Sequence, residues 1–158
     1  MNPPTKTDNF LHVATALLDE VEGTEAEIAE WNGCENARFR AAISRAYYAV
    51  FLEVKYRVIG LRPEWRHSLE NFPRAKVHGI VEKALRAARR GQLLSRNFRQ
   101  LSDSRKNADY DWSSLYRRDM AEAELNVART LFHELSRLTS QEWQAIANRL
   151  HSLQTLDR

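Results

Sequence analysis

Residues 38–56 read R-F-R-A-A-I-S-R-A-Y-Y-A-V-F-L-E-V-K-Y, without a proline or a glycine. Phe39, Ile43, Ala46, Tyr47, Val50, Val54 and, just beyond, Val58 recur at intervals of three and four residues, the period of an α-helix with one broad buried face. The spacing predicts a long helix from about Asn36 to Ile59, with that face as core. Ala41, Ser44, Arg45, Tyr48 and Leu52 border the face at i, i+3, i+4, i+7 and i+11. Polar groups beside a core need partners. Arg45 and Tyr48 therefore admit two readings: a structural one, with the guanidinium paired to a carboxylate and the phenol to a carbonyl, and a functional one, lining a cleft between helices. Tyr47 reads as packing.

Outward from this helix, glycine and proline are scarce and punctuate helical runs at Gly23, Gly33, Gly60, Pro63, Pro73 and Gly91. An all-α chain follows. Phe10, Val13, Ala14, Leu17, Leu18 and Val21 place a first helix over about residues 9–22. Thr24 and Glu27 form a capping box that opens a short second piece. Residues 60–74 read as an irregular connection, with helices predicted over about 75–90, ended by Gly91, then 93–109 and 115–138. A second capping box, Thr139 to Glu142, opens a distinct C-terminal helix carrying Trp143, Ile146, Ala147, Leu150 and Leu153.

At 158 residues and 43% hydrophobic content the chain suits a single domain, residues 1–158. Its start, Met1-Asn2-Pro3-Pro4-Thr5-Lys6, lacks an apolar leader, and no stretch of about eighteen apolar residues occurs, so a cytoplasmic protein without a membrane partner is expected. Cys34 is the only cysteine, which excludes an internal disulfide and a cysteine-based zinc site. The net charge of +3 conceals segregation: residues 1–36 hold one base and eight acids, residues 37–158 hold 23 bases and 13 acids. Arg86, Arg89, Arg90, Arg96, Arg99, Arg105 and Lys106 crowd a stretch with Asp103 as its one acid. Such a stretch reads either as a polyanion surface or as solvated helix.

Glu64-Trp65-Arg66-His67 has the spacing of one half of a di-iron site but occurs once, beside Pro63, and neither a metal nor another cofactor is expected. Phosphate loops, zinc-protease motifs and serine-hydrolase elbows are missing. The polar run Arg105-Lys106-Asn107-Ala108-Asp109-Tyr110-Asp111 closes a predicted helix. Arg105 and Asp109 stand at i and i+4, the spacing of an ordinary ion pair, although a guanidinium, a phenol and carboxylates there also suit a phosphate or ribose. His78 lies among core positions Val77 and Val81, either as a packing residue or as a proton-transfer group.

Ser44-Arg-Ala-Tyr-Tyr-Ala-Val-Phe51, then His78, then Arg105-Lys-Asn-Ala-Asp-Tyr110, taken in that order, resemble the HEPN family of nucleotide-binding and RNA-cleaving helical domains. With the helices between them the motifs cover about residues 36–135. The resemblance implies an antiparallel helical bundle, here with additional short and C-terminal helices, that dimerises so that the motifs of both chains share a cleft. Ribonuclease members carry Arg-x(4–6)-His and cleave RNA without metal by attack of the 2′-hydroxyl on the adjacent phosphate. Here Tyr110, Asp111 and Trp112 stand at the histidine spacings. By resemblance the candidate catalytic residues are Arg105, His78, Asp109 and Tyr110. Arg45, Tyr48, Ser44, Arg96, Arg99 and Lys106 are the candidate substrate-binding residues.

The function expected on this basis is RNA-directed, a metal-independent endoribonuclease acting as a toxin or defence effector. The alternative is a non-catalytic module that binds a nucleotide or a partner such as a nucleotidyltransferase or antitoxin, with Tyr110 a conceivable acceptor of modification. A helical adaptor would explain the core but not the segregated charge.

Overall fold

Six helices, and no strand, occupy the residues described by the computed structural model, which are 8–19, 34–64, 74–111 and 113–156. In chain order they are α1 (Asp8–Ala16), α2 (Glu35–Leu61), α3 (Arg74–Leu85), α4 (Gly91–Tyr110), α5 (Arg118–Ser136) and α6 (Ser140–Leu156). The all-α expectation holds. The Thr24–Glu27 capping box, Trp65 and His67 lie outside the described residues.

Two compact units divide the chain. The first is drawn from Met1–Ala49 and Leu101–Arg129, so it takes α1, the first half of α2, the second half of α4 and the first half of α5. Ala14 and Leu18 of the N-terminal segment, Phe39, Ile43, Ala46 and Tyr47 of α2, Leu101 and Ala108 of α4, and Leu125 and Ala128 of α5 form its interior. A fully buried leucine contributes roughly 1.5–3 kcal/mol on transfer from water, so this apolar set holds the helix ends around which polar groups collect.

The second unit comprises Val50–Gln100 and Thr130–Arg158. Here α3 packs against α6. Val54 and Val58 of α2, Ile80, Val81 and Leu85 of α3, Leu94 and Phe98 of α4, Leu131 and Leu135 of α5, and Trp143, Ile146 and Leu150 of α6 are buried. Thr139 opens α6 as expected: its Oγ1 accepts from the Glu142 amide at 3.2 Å, and Glu142 Oε2 accepts from the Thr139 amide at 2.9 Å.

Several boundaries differ from the sequence-based expectation: α1 ends at Ala16 rather than near residue 22, and α5 begins at Arg118 rather than near residue 115. α2 does not stop at Ile59 but continues through Gly60 to Leu61. α3 ends at Leu85 rather than near Arg90, and the chain turns through i→i−3 bonds from Ala87 to Ala84 and from Ala88 to Leu85. Gly91 opens α4 instead of closing α3. A Cβ at Gly91 would run into the Arg86 carbonyl, so only glycine lets the new helix start against the end of the old one.

Candidate functional site

The last two turns of α4, in the first unit, carry the strongest concentration of polar and aromatic groups. Arg105 Nη2 donates to the Tyr48 hydroxyl at 2.7 Å. Its Nε lies 2.8 Å from Asp109 Oδ2, yet this buried N–H finds no hydrogen-bond acceptor, so the contact is an ion pair without an aligned hydrogen bond. The guanidinium carbon sits 5.3, 5.8 and 5.7 Å from the ring centroids of Tyr48, Tyr47 and Tyr110. A cation within about 6 Å of an aromatic face is attracted by the ring quadrupole. The Arg105 side chain is 12% exposed and that of Asp109 27%, whereas Tyr110 is 70% exposed.

Burial works against the charge on Arg105, but Tyr48 and Asp109 outweigh it and raise its pKa above the ordinary arginine value. The site cation is therefore permanent. Burial pushes the Tyr47 phenol well above the tyrosine range, a shift that Arg105 and a hydrogen bond with Ser102 only partly oppose. Tyr47 is thus a neutral wall of the site, in keeping with its reading as packing, and its ring meets that of Tyr48 edge-on at 5.4 Å.

Arg40 holds the end of α4 from across the unit. It is 8% exposed, and Nη1 donates to the Ala108 carbonyl at 2.6 Å while Nη2 donates to the carbonyls of Asp111 and Ser114. Its Nε donates to Asn36 Oδ1 at 2.7 Å, and the guanidinium lies 4.9 Å from the Tyr116 ring centroid. The final carbonyls of a helix lack partners within it, and α4 has no basic residue in its last turn; an arginine from α2 supplies the donors. Sequence reasoning passed over Arg40, although the signal is present: Arg40, Ile43 and Tyr47 share one face of α2, so a guanidinium stands on an apolar stripe. Just past the helix, hydrogen bonds from the Ser113 and Ser114 hydroxyls and the Ser113 amide hold the Asp111 carboxyl down to about 2.

The other candidates separate. Arg45 is exposed, with its guanidinium 5.9 Å from the Phe10 ring rather than on a carboxylate. Ser44 is half-buried one turn before Tyr48, and Lys106 is exposed and 3.2 Å from Asp103. His78 belongs to the second unit, its ring 4.6 Å from that of Phe51. Arg96 and Arg99 are exposed on the part of α4 assigned to that same unit. Glu64 lies 3.5 Å from Arg62. Among the described residues no group of three or more His, Cys, Asp or Glu is placed to hold a metal ion, and no helix is long and apolar enough to cross a membrane.

Comparison with curated proteins and with solved structures returns no match. The model of the HEPN domain matches residues 29–138, a span that begins before α2 and takes in Ser44 to Phe51, His78 and Arg105 to Tyr110. With all three motifs in order inside a match that covers most of an all-α chain, this protein belongs to the HEPN domain family.

Proposed function

We propose that this HEPN domain binds RNA or a nucleotide at the end of α4, with Arg105 contacting phosphate and Tyr110 offering its exposed ring to a base. One observation carries the reading. Among the described residues the only hydrogen bond that Arg105 donates goes to Tyr48, while Asp109 and three aromatic rings fix its orientation. A cation held this way, with donors of its fork still available, is organised for an anion before the anion arrives. An exposed tyrosine 5.7 Å from that cation adds a stacking surface worth about 1–3 kcal/mol per base. The family supports a nucleotide- or RNA-related role, and a homodimer is part of the proposal.

The test is titration of labelled single-stranded RNA, and separately of a mononucleotide, with wild type, Arg105→Ala and Asp109→Asn. Arg105→Ala weakens binding by tenfold or more with an unchanged circular dichroism spectrum; Asp109→Asn, which removes the competing carboxylate, tightens it. Wild-type affinity in Arg105→Ala sinks the reading.

The desolvation of the same cation favours a second reading: metal-independent cleavage of RNA, in a toxin or defence effector. Charge developing on a phosphate under attack by a 2′-hydroxyl is stabilised more strongly by a guanidinium withdrawn from water than by an exposed one. A nucleotidyltransferase or antitoxin partner is compatible with either reading, and Tyr110 has the exposure that a modification acceptor needs.

A further inference from the structure

In the second unit, the turn after α3, the start of α4 and the corner between α5 and α6 enclose two depressions that share Arg89 and Arg90. One, of about 450 Å³, also takes Arg137 and has Leu94 and Leu138 in its lining. The other, of about 650 Å³, adds Arg96 and Leu93. Four arginines therefore face concave ground, and Arg137 is brought there from a different helix end, far along the chain from the rest. The two acids present are already engaged. Glu134 pairs with Arg90 at 3.1 Å, and Glu142 accepts from the Thr139 and Arg89 amides in capping α6. The side chains of Arg89, Arg96 and Arg137 form no hydrogen bond or ion pair among the described residues. By contrast Arg86, equally basic in sequence, is taken up by Glu82 and Ser95.

Like charges collected around a concavity repel one another, and low-dielectric walls focus their field outward, so the arrangement favours a bound polyanion. We infer that Arg89, Arg96 and Arg137 form a second phosphate-binding surface, separate from the Arg105 cluster, that takes the phosphodiester backbone of a single-stranded RNA. The inference rests on the RNA-directed reading above and deepens it. Planar guanidinium forks match phosphate oxygens in pairs, and the exposed Leu93 beside them gives a sugar or base an apolar footing. The four guanidinium groups outnumber the two side-chain amides of the linings, Gln92 and Gln141, so contact is chiefly through backbone charge and tolerant of sequence.

Fluorescence anisotropy of the full chain with labelled single-stranded RNA over a range of salt decides it. Each phosphate contact on a single strand contributes about 0.7 to the slope of log affinity against log salt. The triple variant Arg89→Gln, Arg96→Gln, Arg137→Gln should bind about tenfold more weakly at low salt and lose about two units of slope, whereas the matching triple lysine variant keeps most of both. Should the glutamine triple fail the circular dichroism check, Arg96→Glu alone, at an exposed position, must still lower the slope. Wild-type affinity and slope in these variants, with Arg105→Ala still weakened, overturns the second surface and leaves the Arg105 reading standing. No binding of RNA or of a mononucleotide by wild-type protein at low salt overturns both. Polyglutamate that binds wild type as tightly as RNA also overturns the phosphate assignment.

Discussion

Arg40 and Arg105 are both shielded arginines that contact the end of α4, yet their surroundings assign them different work. Arg40 spends its donors on backbone carbonyls and on Asn36, whereas Arg105 is held mainly by an ion pair and rings. Arg40→Ala leaves the carbonyls beyond Ala108 without those donors and should destabilise the protein by about 2–3 kcal/mol in chemical denaturation, the scale of hydrogen bonds to a charged group. Arg40→Lys recovers only part, because one ammonium cannot reproduce a planar fork. Asp111 gives a pH test in the same corner. Its carboxyl titrates at about 2 instead of the ordinary 3.8, and a depressed carboxyl stabilises the fold fully above its unfolded value and loses that contribution as pH falls through its folded one. Thermal melts should therefore show an acid limb between about pH 4 and pH 2 that is shallower in Asp111→Asn. The Arg105–Asp109 pair was legible in sequence because i and i+4 are neighbours on any helix. Arg40 shows in sequence only as a guanidinium on the apolar stripe of α2; its role does not, since its partners Ala108, Asp111 and Ser114 are backbone carbonyls some seventy residues away that carry no side-chain signature.

Helices announce themselves by period and cap, and here both signals served unequally. α2 and α6 followed from apolar spacing and from the Thr139–Glu142 box, and Thr139→Ala should cost about 1 kcal/mol by removing that cap. The glycines misled. Gly60 was read as a stop, but it continues α2, and a methyl group there would meet nothing within 4 Å. Gly91 was also read as a stop, and it begins α4 where a methyl group would strike the Arg86 backbone. Composition cannot separate these cases, because one glycine is tolerated and the other is required by an approach between segments. Alanine substitutions separate them by sign. Gly60→Ala should stabilise by about 0.5–1 kcal/mol through lower unfolded-state entropy and better helix propensity, and Gly91→Ala should destabilise by about 1–3 kcal/mol or more through overpacking. Denaturant midpoints that shift in the same direction would contradict the close approach at Gly91.

At the scale of the molecule, the homodimer proposed above needs an exposed apolar surface, and the aromatic residues Tyr47 and Phe51 of α2 do not supply it. Both are buried within the chain, and the exposed apolar groups include Tyr110, Leu115 and Met120, around the end of α4 and the start of α5. A homodimer that covers this run should appear in sedimentation at tens of micromolar, and Leu115→Glu should return it to monomer; a wild-type monomer at that concentration removes the proposal. The sharper question is whether bound RNA is cut. Cleavage by 2′-hydroxyl attack needs a cation at the phosphate and a group that moves protons, and the histidine of the ribonuclease motif is replaced here by Tyr110, Asp111 and Trp112 at its possible spacings. If the domain cleaves, Arg105→Ala abolishes the activity without unfolding the protein, because loss of a desolvated cation costs several kcal/mol of transition-state stabilisation. His78→Ala then lowers the rate by about a hundredfold if its ring is the proton-transfer group, and EDTA leaves wild-type cleavage intact. If the domain only binds, wild type, Arg105→Ala and His78→Ala leave single-stranded and transfer RNA equally whole, while Arg105→Ala alone among the three loses affinity. Cleavage that EDTA stops contradicts the metal-independent mechanism, and cleavage that survives Arg105→Ala moves the chemistry away from the end of α4.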